Sequence, residues 1–317
     1  MSEYIERALE LAERGRGTTH PNPIVGAVVV REGKIVGEGW HERKGEPHAE
    51  VHALQAAGEQ ARGATMYVTL EPCASWGSTP PCTQAVVDAR IARVVAGSRD
   101  PSPNAGGGLE QLAEAGIVVE LIEGELAFRA RVQNEAWRTW VSRGRPFVVY
   151  KAAVTLDGRM TVPDARWISG EESRRLVHEL RAECDAVAVG MGTALADNPA
   201  LTARDVGAAR QPRRLAFGHG PLPEGSELEL LRGPLEEELA RLAEEGVQSL
   251  LLEGGPTLAG AFFGGDLVDK LLLFVAPKLA GAGPTLVADL RAPVALTRLS
   301  SAQVGEDLLL TGYVHEP

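Results

Sequence analysis

Apolar positions along the chain switch repeatedly between a helical spacing and short unbroken runs. That alternation predicts strands and helices in turn. Ile5, Ala8, Leu9 and Ala12 recur at helical spacing and predict a helix over 4–14. An irregular loop pinned by prolines, Thr18-Thr19-His20-Pro21-Asn22-Pro23, leads into the apolar run Ile24 to Val30, which reads as a buried strand. Arg31-Glu32-Gly33-Lys34 makes a turn, and Ile35 to Trp40 is the returning strand. The pattern then predicts a helix over 47–61, a strand over 65–70, a long loop and a helix over 81–89. A strand over 93–97 and a helix–strand pair over 108–121 complete one α/β unit. A further helix over 126–143 runs into Gly144-Arg145-Pro146, a breaker cluster that sets the expected domain boundary, giving domains 1–144 and 145–317.

Beyond the breakers come a strand over 147–154, a helix over 171–184, and a strand over 186–189 that ends in Gly190-Met191-Gly192-Thr193. A helix near 235–245, a strand over 249–252, Gly254-Gly255-Pro256 opening another helix, and a strand over 270–276 follow. This order predicts a second α/β sheet. No internal repeat relates the halves, so two different domains are joined.

Composition narrows the function. With 317 residues, 44% hydrophobic and 24% charged, each half can bury its own core. The formal charge of −11 lacks the basic excess of a general nucleic-acid binder. The longest purely apolar runs, such as Leu271 to Ala276, fall far short of a membrane span. The start, Met1-Ser2-Glu3-Tyr4-Ile5-Glu6-Arg7, has charges where a signal peptide needs an apolar stretch, so a cytoplasmic location is expected. Cys73, Cys82 and Cys184 are too few for a disulfide framework, which turns attention to metal binding or chemistry.

The strongest chemical signal is Pro47-His48-Ala49-Glu50, followed by Glu71-Pro72-Cys73 and then Pro80-Pro81-Cys82. His-x-Glu with a later Pro-Cys and a second Cys is the pattern of zinc-dependent nucleobase deaminases. His48, Cys73 and Cys82 supply one imidazole and two thiolates, leaving zinc's fourth tetrahedral position for water, as a catalytic site requires. Glu50 is the candidate proton carrier. Residues two apart face opposite sides of a helix, so the metal is expected beyond the helix's N-terminal end, with Pro47 in the first turn. Pro81 likewise puts Cys82 at a helix start, where the dipole favours a thiolate. The competing reading is a closed structural site with His52, one turn from His48, as fourth ligand. Cys73 and Cys82 are separated by eight residues rather than two, which puts an extra loop beside the metal. That spacing argues against ordinary cytidine or tRNA-adenosine deaminases and, with the acidic charge, against a nucleic-acid base editor.

Longer stretches are more specific. His20-Pro21-Asn22-Pro23-x-Val25-Gly26, Gly37-x-Gly39-x-His41, the run Pro47 to Leu54, Tyr67 to Cys73, Thr79-Pro80-Pro81-Cys82 and Asp100-Pro101-x-Pro103 occur in order. Together they resemble the bifunctional riboflavin-biosynthesis deaminase/reductase family, and the similarity covers nearly the whole chain. The resemblance implies an α/β protein with an N-terminal cytidine-deaminase-like three-layer domain and a C-terminal dihydrofolate-reductase-like domain. The first half is then expected to convert an exocyclic amine of 2,5-diamino-6-(5-phosphoribosylamino)pyrimidin-4-one into a carbonyl. One zinc ion per chain, Glu50 as proton carrier, and Asn22 and His41 as substrate contacts are implied. Where the family has Ser-His-x-Gly followed by Lys or Arg, this chain has Ser75-Trp76-Gly77-Ser78, so a recognition His and a basic residue aimed at the phosphate are missing.

In the second half, Lys151 to Arg159, Trp167-Ile168-Ser169, Gly190 to Arg204, and Glu253 to Leu258 continue the match. From the residues alone, Glu253-Gly254-Gly255 with Pro256 opening a helix presents free backbone amides, a phosphate-accepting helix N-terminus. Gly190-x-Gly192 is a second, weaker turn of that kind. The resemblance implies NADPH against Ala153, Trp167, Thr193, Asp197 and the turn and helix Gly255, Pro256, Thr257, Leu258, Ala259, Gly260 and Ala261. It places the ribose phosphate against Arg181 and Arg204, with Leu201 and Glu253 lining the substrate, and makes Lys151 and Asp197 candidates for polarising the sugar. The segment 215–223 is shorter than the family's strand and loop there. With the altered 74–78 loop, it leaves open that only one of the two activities survives. Cys184 is expected to be an inert core residue. The implied partner is a phosphorylated pyrimidine, with no nucleic acid and no membrane; homo-oligomerisation is left open.

Overall fold

A computed structural model describes residues 2–77, 80–103 and 105–317. The chain divides into two compact units, Met1–Arg143 with Pro317 and Gly144–Glu316.

In the first unit, helix α1 (Ser2–Glu13) precedes the hairpin β1 (Gly26–Arg31) and β2 (Lys34–Trp40). Then come α2 (Ala49–Ala57), β3 (Thr65–Val68), α3 (Cys82–Asp88), β4 (Arg93–Ala96), α4 (Gly108–Glu114) and β5 (Val118–Leu121). Helices α5 (Gly124–Val132) and α6 (Glu135–Arg143) close the unit. The five strands lie in the order β2-β1-β3-β4-β5. β1 is antiparallel to both its neighbours, whereas β3, β4 and β5 run parallel.

The unbroken apolar run of β1 exists because both sheet faces are covered. Ala27 and Val29 join Met66, Val68, Val94 and Ala96 in a core with Ala49, Ala53 and Ala57 of α2. Val28 and Val30 join Tyr67 and Val95 in a second core with Ile5, Ala8 and Leu9 of α1. This is a three-layer α/β/α unit, as expected. The helix foreseen over 126–143 is two helices. Asn134, between them, gives its side chain to both backbone groups of Ile24, accepting from the N–H at 2.9 Å and donating to the carbonyl at 2.9 Å. A long-range clamp thus outweighs helical continuity.

The second unit comprises β6 (Phe147–Thr155), α7 (Glu171–Glu183), β7 (Ala186–Gly190), α8 (Met191–Asp197), β8 (Arg213–Phe217) and β9 (Glu229–Leu231). It continues with α9 (Leu235–Glu244), β10 (Ser249–Leu252), α10 (Pro256–Gly264), β11 (Lys270–Ala276), β12 (Thr297–Val304) and β13 (Asp307–Tyr313). The sheet order is β12-β13-β11-β6-β10-β7-β8-β9. All neighbours are parallel except β13, which is antiparallel to β11 and β12.

Strands β9, β12 and β13 and helix α8 were not foreseen. β12 is exposed at nearly every position and carries no apolar alternation, so its pairing with β13 comes from the backbone ladder. Near the start of β6 a buried knot ties distant segments together. Asp269 accepts two hydrogen bonds from the Arg145 guanidinium, at 2.6 and 2.8 Å, and one from the Val148 N–H at 2.8 Å.

Candidate functional site

The first site is assembled at two helix starts. Gly37 and Gly39 of β2 let α2 lie close against the sheet: a Cβ on Gly39 would stand 2.5 Å from the Ala53 nitrogen and closer still to the Ala49 oxygen. Small residues on both sides therefore fix where α2 begins. The helix starts at Ala49, so Pro47 precedes it rather than lying in its first turn as expected, and His48 caps it with an extended backbone, φ −75° and ψ 168°. This resolves the spacing problem posed by His-x-Glu. His48 is outside the helix and Glu50 in its first turn, so the two side chains need not diverge. Cys82 is the first residue of α3, capped by Pro81.

Among the described residues, His48, Cys73 and Cys82 form the group able to hold a metal, their ligand atoms all within 4.8 Å of one another. The Nδ1 of His48 lies 3.2 Å from the Cys82 sulfur and 3.6 Å from the Cys73 sulfur. The Cys82 N–H donates to the Cys73 sulfur at 3.3 Å, and the Thr83 N–H to the Cys73 carbonyl at 3.3 Å, so backbone sets the sulfur positions. Hydrogen bonding from the Cys82 thiol, and then from His48, draws the Cys73 thiol well below its usual range. His52 is not part of the group, and its buried Nε2 has no partner. The closed four-ligand alternative therefore has no support among the described residues.

Glu50 is 3% exposed, and its Oε2 is buried without a hydrogen-bond partner. Burial pushes its carboxyl up to about 7. An unsatisfied carboxylate oxygen beside an imidazole and two sulfurs has the donor chemistry of a catalytic zinc site with a place for water. The residues fit the metal.

These groups open into a cavity of about 250 Å³, lined also by Asn22, His41, Ser75, Gly77, Asp100 and Trp137. His41 is buried, its ring edge-on to His48 with centroids 5.1 Å apart. Burial lowers its pKa and favours the neutral ring. Its Nδ1 faces the Pro47 carbonyl at 3.3 Å, an acceptor only, so Nδ1 carries the proton. Nε2 then accepts from the Asn22 amide at 3.2 Å, which fixes how Asn22 presents its oxygen.

Two carboxylates in this wall were quoted in motifs but not foreseen as part of the site. Glu71 accepts from the backbone N–H groups of Asp100 and Leu109, both at 3.0 Å, and pins the loop before Cys73 to the start of α4. Asp100 caps the Ser102 N–H at 2.7 Å, and burial raises its carboxyl to about 6. The Asp100-Pro101-x-Pro103 motif was the signal that could have found it. Trp76, which stands where the family has a histidine, is 78% exposed. Ser78 lies outside the described residues.

The second site lies at the carboxyl ends of β7 and β10, where open α/β sheets bind ligands. Glu253, just past β10, accepts from Arg181 at 2.6 and 3.0 Å and from Lys151 at 3.1 Å. Burial alone would raise its carboxyl, but Lys151 and Arg181 hold it down to about 2. Three of the foreseen substrate contacts thus form one ion cluster. Gly190 and Gly254 both pack on Leu258, and Gly255 lies beside the Thr193 hydroxyl, so the two glycine turns meet. Pro256 occupies the first turn of α10.

The other candidates are less converged. Arg204 is exposed, its N–H facing the His178 Nδ1 at 3.3 Å. Asp197 is exposed, and Trp167 is half-exposed beneath the guanidinium of Arg166. Ala153 lies on β6 two residues beyond Lys151. Leu201 and Ala259 are buried in the unit's cores, 3% and 0% exposed as whole residues, so neither presents a surface to a ligand as the resemblance implied. Thr257 and Ala261 are exposed on α10, and Gly260 approaches the Ala288 backbone. Cys184 is a free thiol raised by burial to about 12, consistent with the inert role expected of it.

Comparison with known proteins decides the family. Residues 1–98 match the cytidine and deoxycytidylate deaminase zinc-binding region, and residues 146–310 match the RibD C-terminal domain. The riboflavin biosynthesis protein RibD of Aquifex aeolicus is 39% identical over 97% of this chain and 96% of its own. The chain belongs to the RibD family. A solved RibD structure from Acinetobacter baumannii, 35% identical, superposes with a TM-score of 0.84 over 98% of both chains. A Thermotoga maritima diaminohydroxyphosphoribosylaminopyrimidine deaminase/5-amino-6-(5-phosphoribosylamino)uracil reductase, 34% identical, gives 0.82 over 98% of this chain and 97% of its own. Like its RibD relatives, the protein is a bifunctional enzyme of riboflavin biosynthesis, with a cytidine-deaminase-like N-terminal half and a RibD reductase C-terminal half. The reductase half implies a nucleotide cofactor. No helix among the described residues is long and apolar enough to cross a membrane.

Proposed function

We propose that the N-terminal half hydrolyses the exocyclic amine of 2,5-diamino-6-(5-phosphoribosylamino)pyrimidin-4-one to a carbonyl, releasing ammonia. The C-terminal half then reduces the ribosyl chain of that product to ribityl with NADPH. The observation that carries the first step is Glu50, a buried carboxylate with a free oxygen beside His48, Cys73 and Cys82. Zinc held by those three residues would supply the chemistry of a water acidified toward pKa ~7. Glu50 takes the proton from water, passes it to the ring nitrogen, and helps protonate the departing amine. Neutral His41 orients the Asn22 amide, whose oxygen is then available to an N–H of the pyrimidine.

For the second step, Lys151 and Arg181 carry positive charge to the strand ends, and Glu253 keeps both in place. Arg204 stands ready for the phosphate. Gly255 to Ala261 and Thr193 would cradle the cofactor phosphates, with Ala153, Trp167 and Asp197 toward the nicotinamide. NADPH held there would supply the hydride chemistry for the ribosyl C1′, while the chain's own residues orient the sugar and exclude water. Free cysteines and a phosphorylated substrate support a cytoplasmic location.

The test is Glu50→Gln. Ammonia release should fall by about 10²–10⁴-fold, while NADPH consumption on the deaminated intermediate persists. Absence of ammonia from the diamino substrate with the unsubstituted enzyme would overturn the bifunctional reading.

A further inference from the structure

Part of the second sheet runs in the order β6-β10-β7-β8-β9, and the cofactor candidates are spread along it in one direction. On the reductase reading above, Ala153 of β6 belongs to the nicotinamide end, and the glycine turns that meet past β10 and β7 belong to the diphosphate. The adenosine half of an extended dinucleotide then continues over the carboxyl ends of β8 and β9, one and two strand spacings further, about 5–10 Å. That edge is continuous. Gly190 pairs in register with Phe217, and Phe217 with Leu231, while the Gly218 N–H donates to the Leu231 carbonyl at 3.0 Å.

Two basic side chains stand on this edge: His219, two residues past β8, and Arg232, directly past β9. Gly218 and Gly220 flank His219 with φ of 138° and 101°, so the turn that presents the imidazole is made by its neighbours. A Cβ on Gly218 would stand 2.9 Å from the Met191 Cβ, so the turn packs closely on the start of α8. Glu238 fixes the other position, accepting from the backbone N–H groups of Arg232 and Gly233 at 3.2 and 2.8 Å, and its charge is balanced by Arg241 at 2.7 Å. Both basic side chains are exposed. Among the described residues neither has a hydrogen bond or ion pair, although Glu224, Glu236 and Glu237 are near in sequence. The arginines at the opposite end of β8 are engaged, Arg213 with Glu229 and Glu245 and Arg214 with Glu227.

We infer that His219 and Arg232 receive the 2′-phosphate on the adenosine ribose and so select NADPH over NADH, an inference that rests on the reductase reading. The cofactor contacts implied by the resemblance, Ala153, Trp167, Thr193, Asp197 and Gly255 to Ala261, include no basic side chain. They cannot tell a 2′-phosphate from a 2′-hydroxyl by charge. Arg232 offers a guanidinium fork matched to phosphate, and the His219 ring adds an N–H donor beside it.

The test is calorimetric titration of NADPH and of NADH into the full-length chain and into Arg232→Gln and His219→Ala, which reads binding without turnover. Thermal unfolding checks that both variants are folded. Arg232→Gln is expected to weaken NADPH binding by roughly 10- to 100-fold, and His219→Ala by roughly 5- to 20-fold, the scale of one charge-assisted contact each. NADH binding should stay within about threefold in both. Raising salt from roughly 0.05 to 0.5 M should erode the NADPH preference of the unsubstituted chain. Unchanged NADPH binding in either variant, or equal loss of both nucleotides, would overturn the inference and leave the reductase reading standing. So would an unsubstituted chain that binds the two alike, or one whose preference is insensitive to salt. Binding of neither nucleotide would overturn the reductase reading and this inference with it.

Discussion

Gly39 should be among the least replaceable residues of the deaminase half, although it touches no substrate. An added Cβ would sit 2.5 Å from the Ala53 nitrogen and 2.7 Å from the His52 Cβ, and closer still to the Ala49 oxygen. Two of these obstacles are helix backbone, so no rotamer change relieves them. Reaching ordinary van der Waals contact requires α2 to retreat by about 1 Å. That helix carries Glu50 in its first turn and His48 as its cap. Metal-ligand distances tolerate about 0.2 Å, and a misplacement near 1 Å of reacting groups costs about 100-fold in rate.

Gly39→Ala is therefore expected to lower ammonia release about 100-fold, weaken zinc retention, and cost about 1–3 kcal/mol through overpacking. The assay pairs ammonia release with metal content and thermal unfolding. NADPH oxidation on the deaminated intermediate serves as an internal control, because Gly39 is in the other unit. Gly77→Ala is the matched comparison: a Cβ there meets nothing within 4 Å, although Gly77 lines the same cavity. Wild-type ammonia release, zinc content and melting temperature in Gly39→Ala would refute the claim that close packing of α2 on β2 sets the ligand geometry.

Glu253→Gln leaves Lys151 and Arg181 without their carboxylate and should destabilise the reductase unit by about 3 kcal/mol, read by thermal unfolding. Because Glu253 sits near pKa 2 when folded, below its unfolded value near 4.3, its contribution is present above about pH 4.5. It is lost as pH falls toward 2, so the variant should show a shallower acid slope. Chelation of the metal should abolish ammonia release yet leave cooperative unfolding and NADPH oxidation intact. The cysteine sulfurs are set by backbone hydrogen bonds, and α2 stands on its own apolar core. Collapse of far-ultraviolet circular dichroism on chelation would contradict that.

What the sequence disclosed depended on how far each feature's cause lay along the chain. His48, Glu50 and Cys82 were legible because zinc chemistry needs those side-chain types at helix starts and a proline precedes each start, whereas Cys73, in the loop after β3, was legible from its Glu71-Pro72-Cys73 motif. The fourth-ligand question about His52 was not decidable from spacing, since residues one helical turn apart share a face whether or not they share a metal. The break between α5 and α6 was hidden because Asn134 reads as an ordinary helical residue until its partner, Ile24, is known. β12 was hidden for a different reason: an exposed strand has no burial pattern to display.

The same distinction separates the two sites. In the deaminase half the motif residues meet through short local devices: a cap, a first turn, a thiolate accepting a neighbour's N–H. In the reductase half Lys151, Arg181 and Glu253 come from three elements up to 102 residues apart and converge only through a buried carboxylate. No spacing rule encodes that convergence, so the resemblance could name these residues but not say that Glu253 binds the other two. The consequence is physical: with its fork engaged by Glu253, Arg181 can turn to a substrate phosphate only by exchanging one anion for another.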